Sequence, residues 1–155
     1  DVLGSRGLGD VYKRQLQQSH YSEPHTWNKD APAVKKMMRT PNTYGYFTAT
    51  YTPIKPLSIA LSGTYTGSML VPHEPVPGFL ENPITVNTKD FFDIGLKAAY
   101  DFKLYKSMNL QINAGIQNIF NAYQDDFDKG ADRDSGYIYG PSLPRSFFAG
   151  VKISY

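Results

Sequence analysis

The sequence contains no cysteine, which excludes a disulfide framework, a thiolate metal site and a thiol nucleophile. It also lacks any apolar run near the eighteen or so residues that a transmembrane helix needs, and its mean hydropathy is −0.42. A membrane-spanning β-strand escapes that exclusion, because half its residues sit on a polar face. Charge of one sign is scarce too. Sixteen basic against fourteen acidic residues leave a formal charge of +2, too little to argue for nucleic acid as a partner. What is plentiful is aromatic: twelve Tyr and nine Phe against a single Trp, with abundant Asn, Thr, Ser and Gly. In a chain of 155 residues, about one domain's length, that mixture favours β-structure over helix.

Residues 1–15 carry no apolar central run of the kind a secretory signal requires. The stretch SRGLGDVYKRQ at residues 5–15 resembles translated adapter read-through at the broken end of an assembly. The expectation is that residues 1–15 are a non-native scar and that residues 16–155 are the C-terminal piece of a longer protein.

At the other end, Phe147, Ala149, Val151, Ile153 and Tyr155 alternate with Ser146, Phe148, Gly150, Lys152 and Ser154. That alternation predicts a strand with one apolar face running to the last residue. Earlier segments repeat it. Residues 57–69 set Leu57, Ile59, Leu61 and Tyr65 against Ser58, Ser62 and Thr64; residues 91–102 set Phe92, Ile94, Leu96 and Tyr100 against Asp93, Lys97 and Asp101. Residues 108–120 set Leu110, Ile112 and Ile116 against Asn109, Gln111, Asn113 and Gln117, and residues 43–53 alternate less cleanly. A partial strand is expected around residues 16–20. Strands of this length exceed the usual five or six residues of globular sheets and suit a tilted crossing of a bilayer.

The connections sort by length. Those around residues 53–56 and 103–107 are short, whereas residues 21–42, 70–90 and 121–143 are long, polar and rich in Pro, Gly, Asp and Asn. Long connections need a reason in a compact domain. A barrel with tight periplasmic turns and long external loops supplies one. Aromatics also gather near strand ends, with Tyr51, Tyr100, Phe102 and Tyr155 toward the short turns. Tyr65, Phe91, Phe92, Phe120 and Phe147 lie toward the long loops, as two interfacial girdles would require. The fold class expected is all-β: an antiparallel up-and-down meander of about five or six strands, forming the C-terminal wall of a larger transmembrane β-barrel.

The run Asn118-Ile119-Phe120-Asn121 resembles the Asn-Leu-Phe-Asn/Asp signature that closes the penultimate strand of TonB-dependent outer-membrane receptors. Tyr137-Ile138-Tyr139-Gly140-Pro141, followed by Leu143-Pro144-Arg145-Ser146-Phe147-Phe148, is similar to their lead into the last strand. Residues 39–46 and 65–69 also read like the siderophore, cobalamin and colicin receptor branch. The terminal set Phe147, Val151, Ile153 and Tyr155 resembles the barrel-assembly signal of outer-membrane proteins. The resemblance implies a wall segment of a barrel of about twenty-two strands, in the outer membrane of a Gram-negative bacterium. It implies partners in outer-membrane lipid, a plug domain, the TonB complex and a scarce small-molecule ligand such as an iron–siderophore or cobalamin. It implies neither catalysis nor a cofactor. The plug and the energy-coupling box have no counterpart in these residues. Two other readings stay open: a small standalone barrel or porin-like channel, and a soluble β-sandwich binding module.

Other chemistry has weaker claims. Asp126, Asp128, Asp132 and Asp134 around Gly130 invite a calcium reading, but the spacing is not that of an EF-hand and no closing Glu follows. A solvated external loop is the plainer account. His20, His25 and His73 lack short-range partners and are expected at the surface. Lys35, Lys36 and Arg39 read as solvated loop charges that an anionic ligand or lipopolysaccharide could meet. No nucleophile-elbow pattern appears, and Gly4, Gly7 and Gly9 follow no strand, so they make no phosphate loop. Asp93, Lys97, Asn109, Gln111, Asn113, Gln117 and Lys152 are expected on the face turned to the barrel interior.

Overall fold

The structure is a computed structural model that describes residues 8–105 and 107–155. Ten strands follow in order: β1 Leu8–Leu16, β2 His20–His25, β3 Val34–Lys36, β4 Thr43–Ile54 and β5 Leu57–Thr66 come first. Then come β6 Leu70–His73, β7 Ile84–Asn87, β8 Phe91–Lys103, β9 Asn109–Gln117 and β10 Ser146–Ser154. Six of them form one antiparallel sheet in the order β1-β4-β5-β8-β9-β10. This is an all-β meander, open at β1 and β10. The other four pair off as two ribbons, β2 with β3 and β6 with β7.

The alternating sequence predicts the sheet's rows well. One face carries the row Ala49, Leu61, Leu96, Ile116 and Phe147, and beside it Leu57, Tyr100, Ile112 and Val151. The opposite face carries Ser58, Ala99, Asn113 and Gly150, and also Asp101, Gln111 and Lys152. The residues expected on the polar face therefore share it, and Gln111 donates to the Asp101 carboxylate at 2.8 Å. β4 takes an irregularity between Tyr51 and Ile54, where Pro53 has no N–H for the ladder.

Three expectations are corrected. The strand expected over 57–69 is regular only to Thr66, although backbone bonds in the same register, Gly67 N–H to the Thr43 carbonyl and Asn42 N–H to the Ser68 carbonyl, carry the pairing a little further. The strand expected over 108–120 ends at Gln117, because Asn118 adopts a left-handed φ of 49°. Two of the long connections are not plain loops, since β2–β3 and β6–β7 close backbone bonds within them.

Strand β1 takes in residues 8–15, which the sequence reading set aside; residues 1–7, with Gly4 and Gly7, lie outside the described residues. A backbone ladder forms with any side chains that tolerate it, so the pairing is silent on the segment's origin.

The main buried cluster lies at the long-connection end of the sheet, which contributes Phe91 from the start of β8. Val71, Phe91, Tyr137 and Tyr139 form it, with Met69, Val86 and Ala122 packed against them. The apolar sheet face is largely bare: Ile112 is 46% exposed, Val151 67% and Phe147 76%. Among the described residues no second layer packs on it.

Candidate functional site

All three long connections leave the same end of the meander, because each joins neighbouring antiparallel strands. There they knit into one cap. Its base is the turn after β9. Asn118, the most buried polar residue at 1% exposure, donates through Nδ2 to the carbonyls of Ala122 and Leu143, at 2.8 and 2.9 Å. Its Oδ1 accepts from the Ala122 N–H at 2.8 Å. Asn121 repeats the left-handed backbone at φ 53° and takes the Arg145 N–H on its Oδ1. Asn suits both places, since its short amide tolerates that region and bonds nearby backbone. Phe120 between them is 64% exposed and stacks near Phe92, centroids 6.4 Å apart.

Beyond this turn, Gln124 clamps the strand-like run 137–139. Its Nε2 donates to the Tyr137 carbonyl and its Oε1 accepts the Tyr139 N–H. Both phenols then donate to Asp126, at 2.8 Å from Tyr137 and 2.6 Å from Tyr139. Burial favours the neutral phenol, and the Asp126 charge adds to it. The Tyr137 phenol is pushed up to about 12 and that of Tyr139 is raised further. Desolvation would raise the Asp126 carboxyl, but bonds from Tyr139, Tyr137 and Gln124 outweigh it and hold it below the usual range. Gly140 follows at φ 82°, and a side chain there would strike the Phe91 ring, 2.8 Å from where a Cβ would stand.

The second connection joins at His73, the last residue of β6. Its imidazole stacks on Tyr137 with centroids 3.8 Å apart and planes 3° from parallel. Its Nε2 lies 2.9 Å from the Asp128 carboxylate, both side chains being nearly inaccessible. The expectation of a surface histidine is therefore wrong for His73. Next door, the Glu74 N–H donates to Asp134 and the Glu74 carboxylate accepts from Asn28 of the first connection. At the second connection's other end, Lys89 pairs with Asp125 at 2.7 Å, raising the ammonium and lowering the carboxyl through that contact.

Arg39 has a second role beside the one expected. At φ 54° it turns its guanidinium onto the carbonyls of Ile138 and Gly136, so this exposed charge also ties the first connection to the third. Phe91 also departs from its expected interfacial girdle: it is 5% exposed and packs on Tyr139. The acidic residues are not a plain solvated cluster either. Asp126, Asp128 and Asp134 spend their oxygens on phenols, His73 and backbone N–H groups, while Asp132 stands exposed. Among the described residues no three His, Cys, Asp or Glu are placed to hold a metal.

The other singled-out residues lie apart from the cap's interior. Pro141 and Pro144 line a hollow in the third connection. Phe147, Val151 and Ile153 point from the free edge strand β10 on the apolar face, and Tyr155, just past it, is 99% exposed. Lys35 is exposed in the β2–β3 ribbon, where Lys36 pairs with His20. Sequence reasoning missed the joining of His73 with Asp128 and of Lys89 with Asp125. Separations of 55 and 36 residues leave no local signal for either.

No family model, no curated protein and no solved structure matches the chain.

Proposed function

We propose that residues 16–155 form a wall of an outer-membrane β-barrel of the TonB-dependent receptor kind, serving uptake of a scarce small ligand rather than catalysis. The observation that carries this reading is the asymmetry of the meander. Three long connections are knitted together at one end, two tight turns stand at the other, and between them an apolar face is left bare. Lipid covers such a face at no cost, whereas water does not. The resemblance of Asn118–Asn121 and of residues 137–148 to the family's last connection points the same way. The finer parts of the reading, a larger barrel, a plug and the TonB complex, follow from that resemblance. A soluble sandwich would need a second sheet over the apolar rows, and the ribbons β2–β3 and β6–β7 do not cover them.

The register of β1 over residues 8–15 sits poorly with a lipid-facing row. It places Asp10 in the row of Ala49, Leu61 and Leu96, and Arg14 beside Gly45 on the same face. A charge in a lipid-facing row is destabilising toward mid-bilayer, where Asp10 falls, and costs only about 0–1 kcal/mol at the interface, where Arg14 shares the row of Tyr65 and Phe92.

Sequencing the source DNA upstream of the Leu16 codon tests the reading. The expected outcome is an open frame running through further long alternating strands to a plug and a signal peptide, with residues 1–15 absent. A frame that begins with residues 1–15 intact overturns it in favour of a self-contained β-protein.

A further inference from the structure

The third connection forms a half-open hollow of about 300 Å³, lined in part by the bonded residues described above. Its walls are the side chains of Tyr123, Phe127, Ile138, Pro141 and Pro144, with Arg133 at the side. Three of these apolar side chains present wide surfaces to solvent: Tyr123 is 48% exposed, Phe127 46% and Ile138 66%. The volume is at the lower end for small-molecule sites, enough for a ligand of one or two rings.

The polar groups around it are unevenly committed. Most of the acceptors are engaged: Gln124 Oε1 holds the Tyr139 N–H, and one oxygen of Asp128 takes both the His73 ring and the Asp134 N–H. Asp134 holds the N–H groups of Glu74 and Gly136 on its two oxygens. Arg133 is not spent. It gives one N–H to the Gly130 carbonyl at 3.0 Å, and among the described residues no carboxylate lies within ion-pair distance of it. An aromatic-walled hollow whose one cationic side chain is a guanidinium held by a single backbone carbonyl suits a ligand that supplies a flat apolar body and a carboxylate. We propose that this cavity binds a planar ring carrying a carboxylate, the ring against Tyr123 and Phe127 and the carboxylate on Arg133. The proposal rests on the third connection alone and stands whether or not the sheet sits in lipid.

The test titrates the full chain, refolded in detergent micelles, with 2-naphthoate, following ligand line broadening by NMR. 2-Naphthalenemethanol and 2-naphthylmethylammonium serve as neutral and cationic counterparts. The same titrations are run on Arg133→Gln, whose only lost contact is the one to Gly130, and on Arg133→Lys. Expected is saturable binding of the carboxylate, weakened at least about tenfold by Arg133→Gln and partly restored by Arg133→Lys, with the alcohol unaffected. Phe127→Ala, which leaves the guanidinium in place, weakens both naphthoate and the alcohol. Equal binding of naphthoate to wild type and Arg133→Gln overturns the proposal, as does preference for the ammonium compound, which would make the acidic residues the recognition element. Micelle partition alone is recognised by its indifference to every substitution, and it too overturns the proposal.

Discussion

At the residue scale, the Asn118–Asn121 turn shows why a short polar side chain is needed where a strand ends. Asn118 satisfies three backbone groups from inside the protein while holding a left-handed φ. Replacing it with Ala leaves those groups unpaired and strains the backbone, at a cost of roughly 3 kcal/mol. Asn118→Gly relieves the backbone and loses the same bonds, so it recovers less than about 1 kcal/mol of that loss. Denaturant unfolding in micelles measures both, and Asn118→Gly matching wild type would refute the role given to the bonds. The motif was legible in the sequence as a motif. Its reason was not, because Leu143, one of the partners, lies 25 residues away.

At the scale of the elements, the cap is a polar structure with a titratable centre. The phenols of Tyr137 and Tyr139 are raised in the folded protein, chiefly by burial. Their contribution is complete below the unfolded value near 10 and is lost as pH rises from there through about 12 at Tyr137. Asp126 is lowered, so its contribution is present above the ordinary value of 3.8 and is lost as pH falls through the folded value below it. Hydrogen-exchange protection at residues 124 and 137–139, taken relative to the intrinsic amide rate at each pH, is therefore expected to be highest near neutral pH and to fall at both extremes. Tyr139→Phe removes one donor to Asp126 and should move the acid limb upward. An unchanged acid limb would show that Asp126 does not anchor the cap. Strand positions were legible in the sequence because a period of two survives in any single strand. The ribbons β2–β3 and β6–β7 were not, since their short runs carry Pro24 and Pro72 and alternate poorly.

At the scale of the whole molecule, the distribution of burial is inverted relative to a soluble sandwich. The core is built from the connections and Phe91 at the start of β8, and the sheet's apolar rows face outward together with two open edges. Unpaired edges and a bare apolar face associate in water. The chain is expected to aggregate without detergent and to become dispersed, β-rich and protease-resistant at its cap when detergent is supplied. Sedimentation and far-UV circular dichroism in the two conditions check this. A monodisperse, folded chain in buffer alone would count against the lipid-facing assignment.

Five of the meander's six strands, the sorting of short and long connections, and the side chains that share a face could be read from the sequence. Those are properties of local periodicity and turn chemistry, and they are written in neighbouring residues. Only the tertiary structure decided that the three long connections form one cap, that His73 is buried against Tyr137 and Asp128, and that Arg39 is a tie. It also decided that the acidic residues are bonded within the protein while Arg133 is left uncommitted. These depend on contacts between residues tens of positions apart. Alternation in any one strand carries no record of which connection will fold over it.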